Sequence, residues 1–177
     1  MDAILFPILG IIVNFITFIL VLRTWLEFCG VNANLPLSQS LIRLTQPMLK
    51  LFGRSLYFKN INLVALLLAI VIEALLFVLA DYPVSYALLI GVFGVVKTLG
   101  QILFFTTLIR ALMSWITQGN HPLDLVVAQI TEPVLAKIRQ ILPRTGMIDF
   151  SVMVLGIILL VANNLMTQYF GGLWLVA

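Results

Sequence analysis

The chain has 177 residues, of which 62% are hydrophobic and 10% are charged, and its net charge is +3. Soluble domains average about 45–50% apolar and about 25% charged residues, and a fold of this size cannot bury so much apolar surface. The composition therefore excludes an ordinary soluble domain and predicts a membrane protein. The single cysteine, Cys29, excludes an internal disulfide and a cysteine-based metal site.

Four apolar stretches are long enough to cross a bilayer as helices, which takes about 20 residues each. In chain order, we predict transmembrane helices over residues 4–22, 61–80, 84–109 and 150–169. A short turn at residues 81–83 joins the second and third spans, and its Pro83 suits the start of a helix. We therefore expect an all-α membrane protein with four transmembrane helices.

A more polar segment separates the two spans of each half, at residues 35–56 and 121–142. Apolar residues recur there at spacings of three and four, with basic and amide residues between them, which predicts an amphipathic helix at the cytoplasmic interface. Pro47 and Pro133 each remove an amide donor, so we expect each to open a second short helix. The resulting proline-bent pair either rests on the leaflet or re-enters it.

The two halves carry the same motifs in the same order. The first half has Asn34-Leu35-Pro36 followed by Thr45-Gln46-Pro47, and the second has Asn120-His121-Pro122 followed by Thr131-Glu132-Pro133. The offset is 86 residues at the prolines and 87 at Arg23 and Arg110. We therefore expect two internal repeats, at residues 1–81 and 82–177. The asparagines and prolines of these motifs are candidate anchors of the repeat.

The basic residues indicate the orientation. Residues 23–60 carry five Lys or Arg residues against one acid, and residues 110–149 carry four against three. Because such residues concentrate on the cytoplasmic side, we expect both segments inside, both termini outside and two parallel repeats. Trp174 then suits the outer interface. No basic patch interleaved with aromatic residues is present, so we expect no nucleic-acid partner.

Glu73 and Lys97 are the charged residues within the predicted spans. Charged groups in hydrocarbon are costly and usually face a partner or the interior of the bundle. Because spans two and three form a hairpin, these opposite charges lie on neighbouring helices. Two interpretations follow: an ion pair that fixes the helix register, which we favour, or a proton or cation relay.

Arg23 and Arg110 lie at matched positions at the cytoplasmic ends of spans one and three. Anchoring by snorkelling to the headgroups is the simplest interpretation. Their repetition also predicts a shared contact, and we expect hydrogen-bonded pairs with Glu132 and Asp149 to hold the interfacial helices against the bundle.

The sequence contains no motif of the nucleotide-binding, zinc-hydrolase or serine-hydrolase kind. The lone His121 lies between Asn120 and Pro122 and lacks the partners that a metal needs. We therefore expect no enzymatic activity, no cofactor and no metal.

Several of these motifs resemble the YggT family of bacterial membrane proteins, called YlmG in other lineages. The resemblance rests on the Asn-x-Pro and Thr-Gln/Glu-Pro motifs, on Arg110 to Trp115 and on the run from Ile138 to Ser151. The chain departs from the family pattern at Val152, where a proline often follows the Asp-x-Ser motif. In the first half, Asn62 stands where the second has Asp149.

The resemblance implies a location in the bacterial cytoplasmic (inner) membrane and an association with osmotic-stress tolerance and ion uptake, or with envelope growth and division. It implies no catalytic residue. Our first hypothesis is a non-enzymatic scaffold or assembly factor that presents basic helices to anionic lipid headgroups and to a membrane-protein partner or a second copy. The alternative is a small ion transporter or channel component that uses Glu73 and Lys97.

Overall fold

The computed structural model describes residues 4–50, 56–58, 60–116, 122–142 and 150–177. The chain is predominantly helical. Its elements are α1 (Leu5–Phe28), α2 (Pro36–Lys50), β1 (Tyr57–Phe58), β2 (Ile61–Asn62), α3 (Leu63–Leu79), α4 (Val84–Ile116), α5 (Pro122–Ile141), α6 (Phe150–Phe170) and α7 (Gly172–Val176). β1 and β2 form a small antiparallel hairpin that the sequence analysis did not predict.

Three of the described helices are long and apolar enough to cross a membrane, namely Leu5–Phe28, Val84–Met113 within α4, and Phe150–Phe170. The fourth predicted span corresponds to α3, which is apolar but has 17 residues. That length lies at the lower limit for a transmembrane helix. The number of spans therefore stays a prediction, whereas the helical membrane-type architecture is confirmed.

Two helices extend beyond their predicted ends. α1 continues past residue 22 to Phe28 and is followed by Gly30, whose φ of +68° is a conformation that glycine adopts easily. α4 continues past residue 109 to Ile116, so its 33 residues extend about 50 Å. The arginines at positions 23 and 110 do not end these helices, because arginine is a good helix former. Both side chains therefore emerge from helical backbone.

The prediction that Pro47 and Pro133 each open a second short helix is wrong. Pro47 lies inside the continuous helix α2 and Pro133 inside α5. A proline inside a helix costs roughly 3 kcal/mol, because it removes one backbone hydrogen bond and its ring clashes with the preceding turn. In α2 this cost is offset by packing on both sides of the proline, since Leu41 and Leu49 are both buried. Pro36 and Pro122 begin their helices, as the N-terminal preference of proline allows.

Helix α2 folds back alongside the end of α1. Leu41 of α2 belongs to a buried cluster with Leu26, whereas Leu49 belongs to a cluster with Leu20 and Val21. The chain therefore advances along α2 while its partners recede along α1, so the two helices run antiparallel. This packing places α2 at the level of the last turns of α1.

A close helix crossing joins the two halves of the chain. A methyl group added at Gly91 of α4 would lie 2.5 Å from the backbone oxygen of Ile70 in α3. Ala74 of α3 and Ala87 of α4 are buried beside this crossing. Small residues allow the backbones to approach, as in other membrane helix pairs. Helices α1, α3 and α4 thus form the core, and α6 leaves most of its length exposed.

Candidate functional site

The first arginine of the repeat ties α1 to α2. Arg23 is 6% exposed, and its Nη1 donates a hydrogen bond to the Thr45 hydroxyl. Its Nε donates to Glu27 Oε1 at 2.9 Å, one helical turn further along α1. The Thr45 hydroxyl in turn donates to the Leu41 carbonyl at 2.6 Å. We call the set Arg23, Glu27 and Thr45 the first clamp.

The second arginine makes the same contact in the second half. Arg110 Nη1 donates to the Thr131 hydroxyl at 2.7 Å, and Thr131 donates to the Val127 carbonyl at 2.8 Å. Arg110 Nη1 also contacts Glu132 Oε2 at 3.1 Å, and Arg139 Nη1 lies 2.8 Å from the other oxygen of Glu132. We call the set Arg110, Thr131, Glu132 and Arg139 the second clamp. It holds α5 against α4.

The two clamps share the arginine–threonine bond and differ in their carboxylate. In the first half Gln46 occupies the position of Glu132, and Glu27 of α1 supplies the carboxylate instead. The sequence predicts carboxylate partners for the arginines, whereas the structure adds a threonine partner to each. The signal was present, because Thr45 and Thr131 stand two residues before their prolines in both halves.

A further contact joins the halves on the side of the clamps. Trp25 of α1 donates its indole N–H to the Ile130 carbonyl of α5 at 3.1 Å. The Cys29 thiol lies 3.6 Å from the same carbonyl oxygen, and burial raises the pKa of this thiol to about 12. Leu26, Leu41 and Ile130 form the buried cluster beneath these contacts. The two amphipathic helices therefore belong to one packed unit.

The outward sides of α2 and α5 are basic and apolar together. Arg43 and Lys50 of α2 and Lys137 of α5 are exposed. The predicted apolar stripe of α2 is only partly buried, because Leu37 and Leu44 are exposed. The side of α2 that packs on the bundle includes two buried hydroxyl residues, Ser38 and Thr45, and the Thr45 hydroxyl bonds Arg23. Leucines beside cationic side chains on one surface suit a lipid headgroup layer.

The other polar region lies among the apolar helices. Glu73 of α3 is 2% exposed and packs against Gly94 of α4, where an added methyl group would lie 3.3 Å from the carboxyl carbon. The fully buried Thr17 hydroxyl of α1 is close enough to act on this carboxyl group, although it does not have the geometry of a regular hydrogen bond.

Lys97 is near enough to Glu73 for electrostatic attraction. Within the described part of the chain, however, no direct salt bridge joins Glu73 and Lys97. The Lys97 ammonium donates instead to the backbone oxygens of Trp174, Leu175 and Ala177, at 3.2, 3.5 and 3.1 Å. An ammonium group has three N–H donors, so these oxygens satisfy it. Glu73 and Lys97 are therefore neighbouring charged groups without a direct salt bridge, and their role stays a prediction.

A polar cavity of about 350 Å³ adjoins Lys97. Its polar lining comprises Asn14 of α1, with Lys97, Thr98 and Gln101 of α4. The segment of residues 175–177 closes one side of the cavity. Trp174 is buried in the protein, and its indole donates to Asn163 Oδ1 at 3.0 Å. Its position at the outer interface stays a prediction.

The remaining predicted site residues are Asn34, Asn120 and Asp149. Asn34 is exposed, and its backbone oxygen accepts a bond from the Gln39 side chain at 3.3 Å. Asn120, His121 and Asp149 lie outside the described residues. Among the residues that the structure describes, no group of three or more His, Cys, Asp or Glu side chains is arranged to hold a metal ion.

Comparison with known proteins supports the division into two halves. A family model described as CCB3/YggT matches residues 2–82 and again residues 89–170. An uncharacterized protein of Haemophilus influenzae is 39% identical over 171 residues, covering 96% of this chain and 94% of the relative. An uncharacterized protein of Vibrio alginolyticus is 37% identical, covering 88% of this chain and 89% of the relative.

The uncharacterized protein YggT of Escherichia coli K12 is 31% identical over 160 residues, covering 88% of this chain and 85% of the relative. No solved structure matches the chain. The similarity therefore extends over nearly the whole chain.

Proposed function

We propose that this chain, which belongs to the CCB3/YggT family, is a non-enzymatic membrane scaffold or assembly factor. Its long apolar helices are of the membrane type. In this role α2 and α5 form one basic surface that binds anionic lipid headgroups and holds a membrane-protein partner or a second copy. The family resemblance connects such a scaffold with tolerance of osmotic stress.

One observation carries this proposal: the arginine–threonine bond occurs in both halves. Arg23 bonds Glu27 and Thr45, and Arg110 bonds Thr131 and Glu132, so these arginines act as internal braces. The basic residues available for external contacts are then those on the outward sides of α2 and α5. A repeated brace that holds two amphipathic helices against one bundle favours a presentation surface over a reaction centre.

The orientation follows from the same charges. We place α2 and α5 on the cytoplasmic side of the bacterial inner membrane, with α1, α3, α4 and α6 as four spans and both termini outside. The anionic cytoplasmic leaflet attracts basic residues near its surface by about 1 kcal/mol each. The two repeats then cross the membrane in the same sense.

The test is the lipid composition around the protein. We would extract it with its lipids in polymer-bounded membrane discs and measure phosphatidylglycerol relative to phosphatidylethanolamine. We expect enrichment of the anionic lipid in the parent and loss of most of that enrichment when Arg43, Lys50 and Lys137 are changed to Gln. The matched control changes the exposed, uncharged Gln129 and Gln140 of α5 to Ala.

Equal anionic-lipid enrichment in the parent and the triple variant contradicts lipid binding by this surface. Chemical crosslinking in native membranes tests the partner. The scaffold proposal requires one protein, or a second copy, to be recovered in the parent above the triple variant. Equal recovery of the partner from the parent and from the triple variant contradicts a role of the basic surface in partner binding.

The polar cavity beside Lys97 favours a second candidate, a small ion transporter or channel component. Lys97 lines this cavity, and the buried Glu73 packs against Gly94, which also lines it. Reconstituted vesicles of the parent, Glu73→Gln and Lys97→Met test this candidate. It requires ion flux in the parent that falls in both variants. Flux that is absent, or equal in all three, rejects it.

A further inference from the structure

We propose that a small cavity at the first clamp binds one phospholipid headgroup that carries a primary ammonium, as phosphatidylethanolamine does. The cavity has a volume of about 80 Å³ and lies between the end of α1 and the start of α2. Arg23 and Glu27 of α1 and Ser38 of α2 line it. The site uses none of the exposed basic residues of α2 and α5, so it is independent of the proposed basic surface.

Two polar atoms in this cavity are buried and have no hydrogen-bond partner among the described residues. They are Glu27 Oε2 and the Ser38 hydroxyl oxygen. Ser38 is 5% exposed, so bulk water does not compensate its hydroxyl. Buried polar groups are costly when they stay unpaired, and nearly all of them have a partner. These two atoms therefore indicate that the cavity holds a polar group.

The second clamp indicates which charge suits the unpaired carboxylate oxygen. There the two oxygens of Glu132 each contact a cation, Arg110 at 3.1 Å and Arg139 at 2.8 Å. In the first clamp one oxygen of Glu27 accepts from Arg23 at 2.9 Å, and the other has no cationic partner within the described part of the chain. A second cation completes the arrangement, and its bond to the carboxylate is about twice as strong as a neutral one.

An ammonium group fits the cavity in hydrogen bonding and in size. It has three N–H donors, and Glu27 Oε2 and the Ser38 oxygen can accept two of them. A volume of about 80 Å³ equals two or three water molecules at about 30 Å³ each, which admits an ammonium with its methylene group. A trimethylammonium group has no N–H donor and three more carbon atoms, so the cavity selects against choline headgroups.

The cavity lies at a level where phospholipid headgroups are available. Glu27 lies about 7 Å along α1 beyond residue 22, where the predicted first span ends. The headgroup layer is about 5–8 Å thick on each side of the hydrocarbon core. Ala33 lines the cavity and is exposed, so the cavity opens to the protein surface. The ammonium is the terminal group of the headgroup and can enter while the phosphate stays outside.

Native mass spectrometry of the full chain in detergent tests the proposal. The probes are phosphatidylethanolamine, phosphatidylcholine and phosphatidylglycerol with identical acyl chains, each titrated separately. We expect one saturable phosphatidylethanolamine per chain. Its affinity should exceed that of the other two lipids by about tenfold or more, because only this headgroup donates a charged N–H to the carboxylate.

Two variants test the residues of the site. In Glu27→Gln the amide oxygen is needed by Arg23, so the NH₂ group faces the cavity and cannot accept a hydrogen bond. This change should weaken phosphatidylethanolamine binding by about tenfold or more. Ser38→Ala removes the hydroxyl acceptor and should weaken binding by about threefold or more. If Glu27→Gln does not fold, Ser38→Ala decides alone, since this hydroxyl has no partner to lose among the described residues.

Each variant has a matched control. Glu132→Gln changes a carboxylate whose two oxygens already have cationic partners. Ser40→Ala removes a hydroxyl that bonds the Pro36 carbonyl of its own helix at 2.8 Å. Both controls should leave the affinity for phosphatidylethanolamine unchanged, and so should the triple variant of the basic surface.

Equal affinities for the ethanolamine and choline lipids overturn the proposal. So does an affinity that is unchanged in Glu27→Gln or in Ser38→Ala. If phosphatidylethanolamine shows no saturable binding, water alone fills the cavity and the proposal is wrong. Loss of binding in the triple variant with no loss in Ser38→Ala assigns the lipid to the basic surface and likewise overturns it.

Discussion

Arg23 and Thr45 form a buried hydrogen bond that joins the last turns of α1 to the middle of α2. The threonine hydroxyl accepts a hydrogen bond from the guanidinium and donates one to the Leu41 carbonyl, so it acts as both acceptor and donor. Arg110 and Thr131 repeat the arrangement in the second half. The repeat is thus visible in one side-chain contact as well as in the sequence.

We predict that Thr45→Val destabilises the fold by about 1–3 kcal/mol, because a buried guanidinium donor loses its acceptor. Thr45→Ser keeps the hydroxyl and should recover most of that loss. Detergent-induced unfolding measures the difference. The control is Thr106→Val in α4, where the hydroxyl bonds only the carbonyls of its own helix. Equal effects at positions 45 and 106 would contradict a bracing role for the first clamp.

The carboxylate of the second clamp should contribute less than the hydroxyl. Glu132 is about half exposed, and exposed ion pairs contribute about 0.2–1 kcal/mol. A double-mutant cycle of Arg110 with Glu132 should therefore give a smaller coupling energy than the cycle of Arg110 with Thr131. The Glu132 coupling should also fall with added salt. A larger and salt-independent coupling to Glu132 would reverse this order.

Gly91→Ala should disrupt the crossing of α3 and α4, because the added methyl group meets the Ile70 backbone oxygen at 2.5 Å. Overpacking of this kind costs about 1–3 kcal/mol. Gly100→Ala in the same helix is the control, since no atom lies within 4 Å of its added methyl group. That change should be neutral or stabilising by up to about 1 kcal/mol. Thermal unfolding of both variants checks the contrast.

Cys29 should resist alkylation in the folded protein. Burial raises the pKa of its thiol from 9.0 to about 12, so little thiolate is present at pH 8. Between about pH 9 and pH 12 the folded state keeps a proton that the unfolded state loses, so stability should decrease as pH rises through this window. Iodoacetamide labelling before and after denaturation measures the reactivity. Cys29→Ala should lack this part of the pH dependence, and rapid labelling of the folded protein would contradict the burial.

Much of this architecture is predictable because its signals are local or repeated. Apolar length indicated the helices, and the doubled motifs indicated the two halves. The continuity of α2 through Pro47 was not predictable, because packing of Leu41 and Leu49 on the bundle outweighs the local cost of the proline. The partners of Lys97 were also missed, since backbone oxygens of residues 174–177 have no side-chain signature. Non-local packing determined both outcomes.

The most direct test of the proposed surface is its side of the membrane. In a Cys29→Ala background, Lys137→Cys reports α5 and Asp81→Cys reports the turn between α3 and α4. A membrane-impermeant maleimide added to spheroplasts should label the cysteine at position 81 and leave the one at position 137 unlabelled. Inverted vesicles should give the opposite pattern. Labelling at position 137 in intact spheroplasts would contradict a cytoplasmic basic surface.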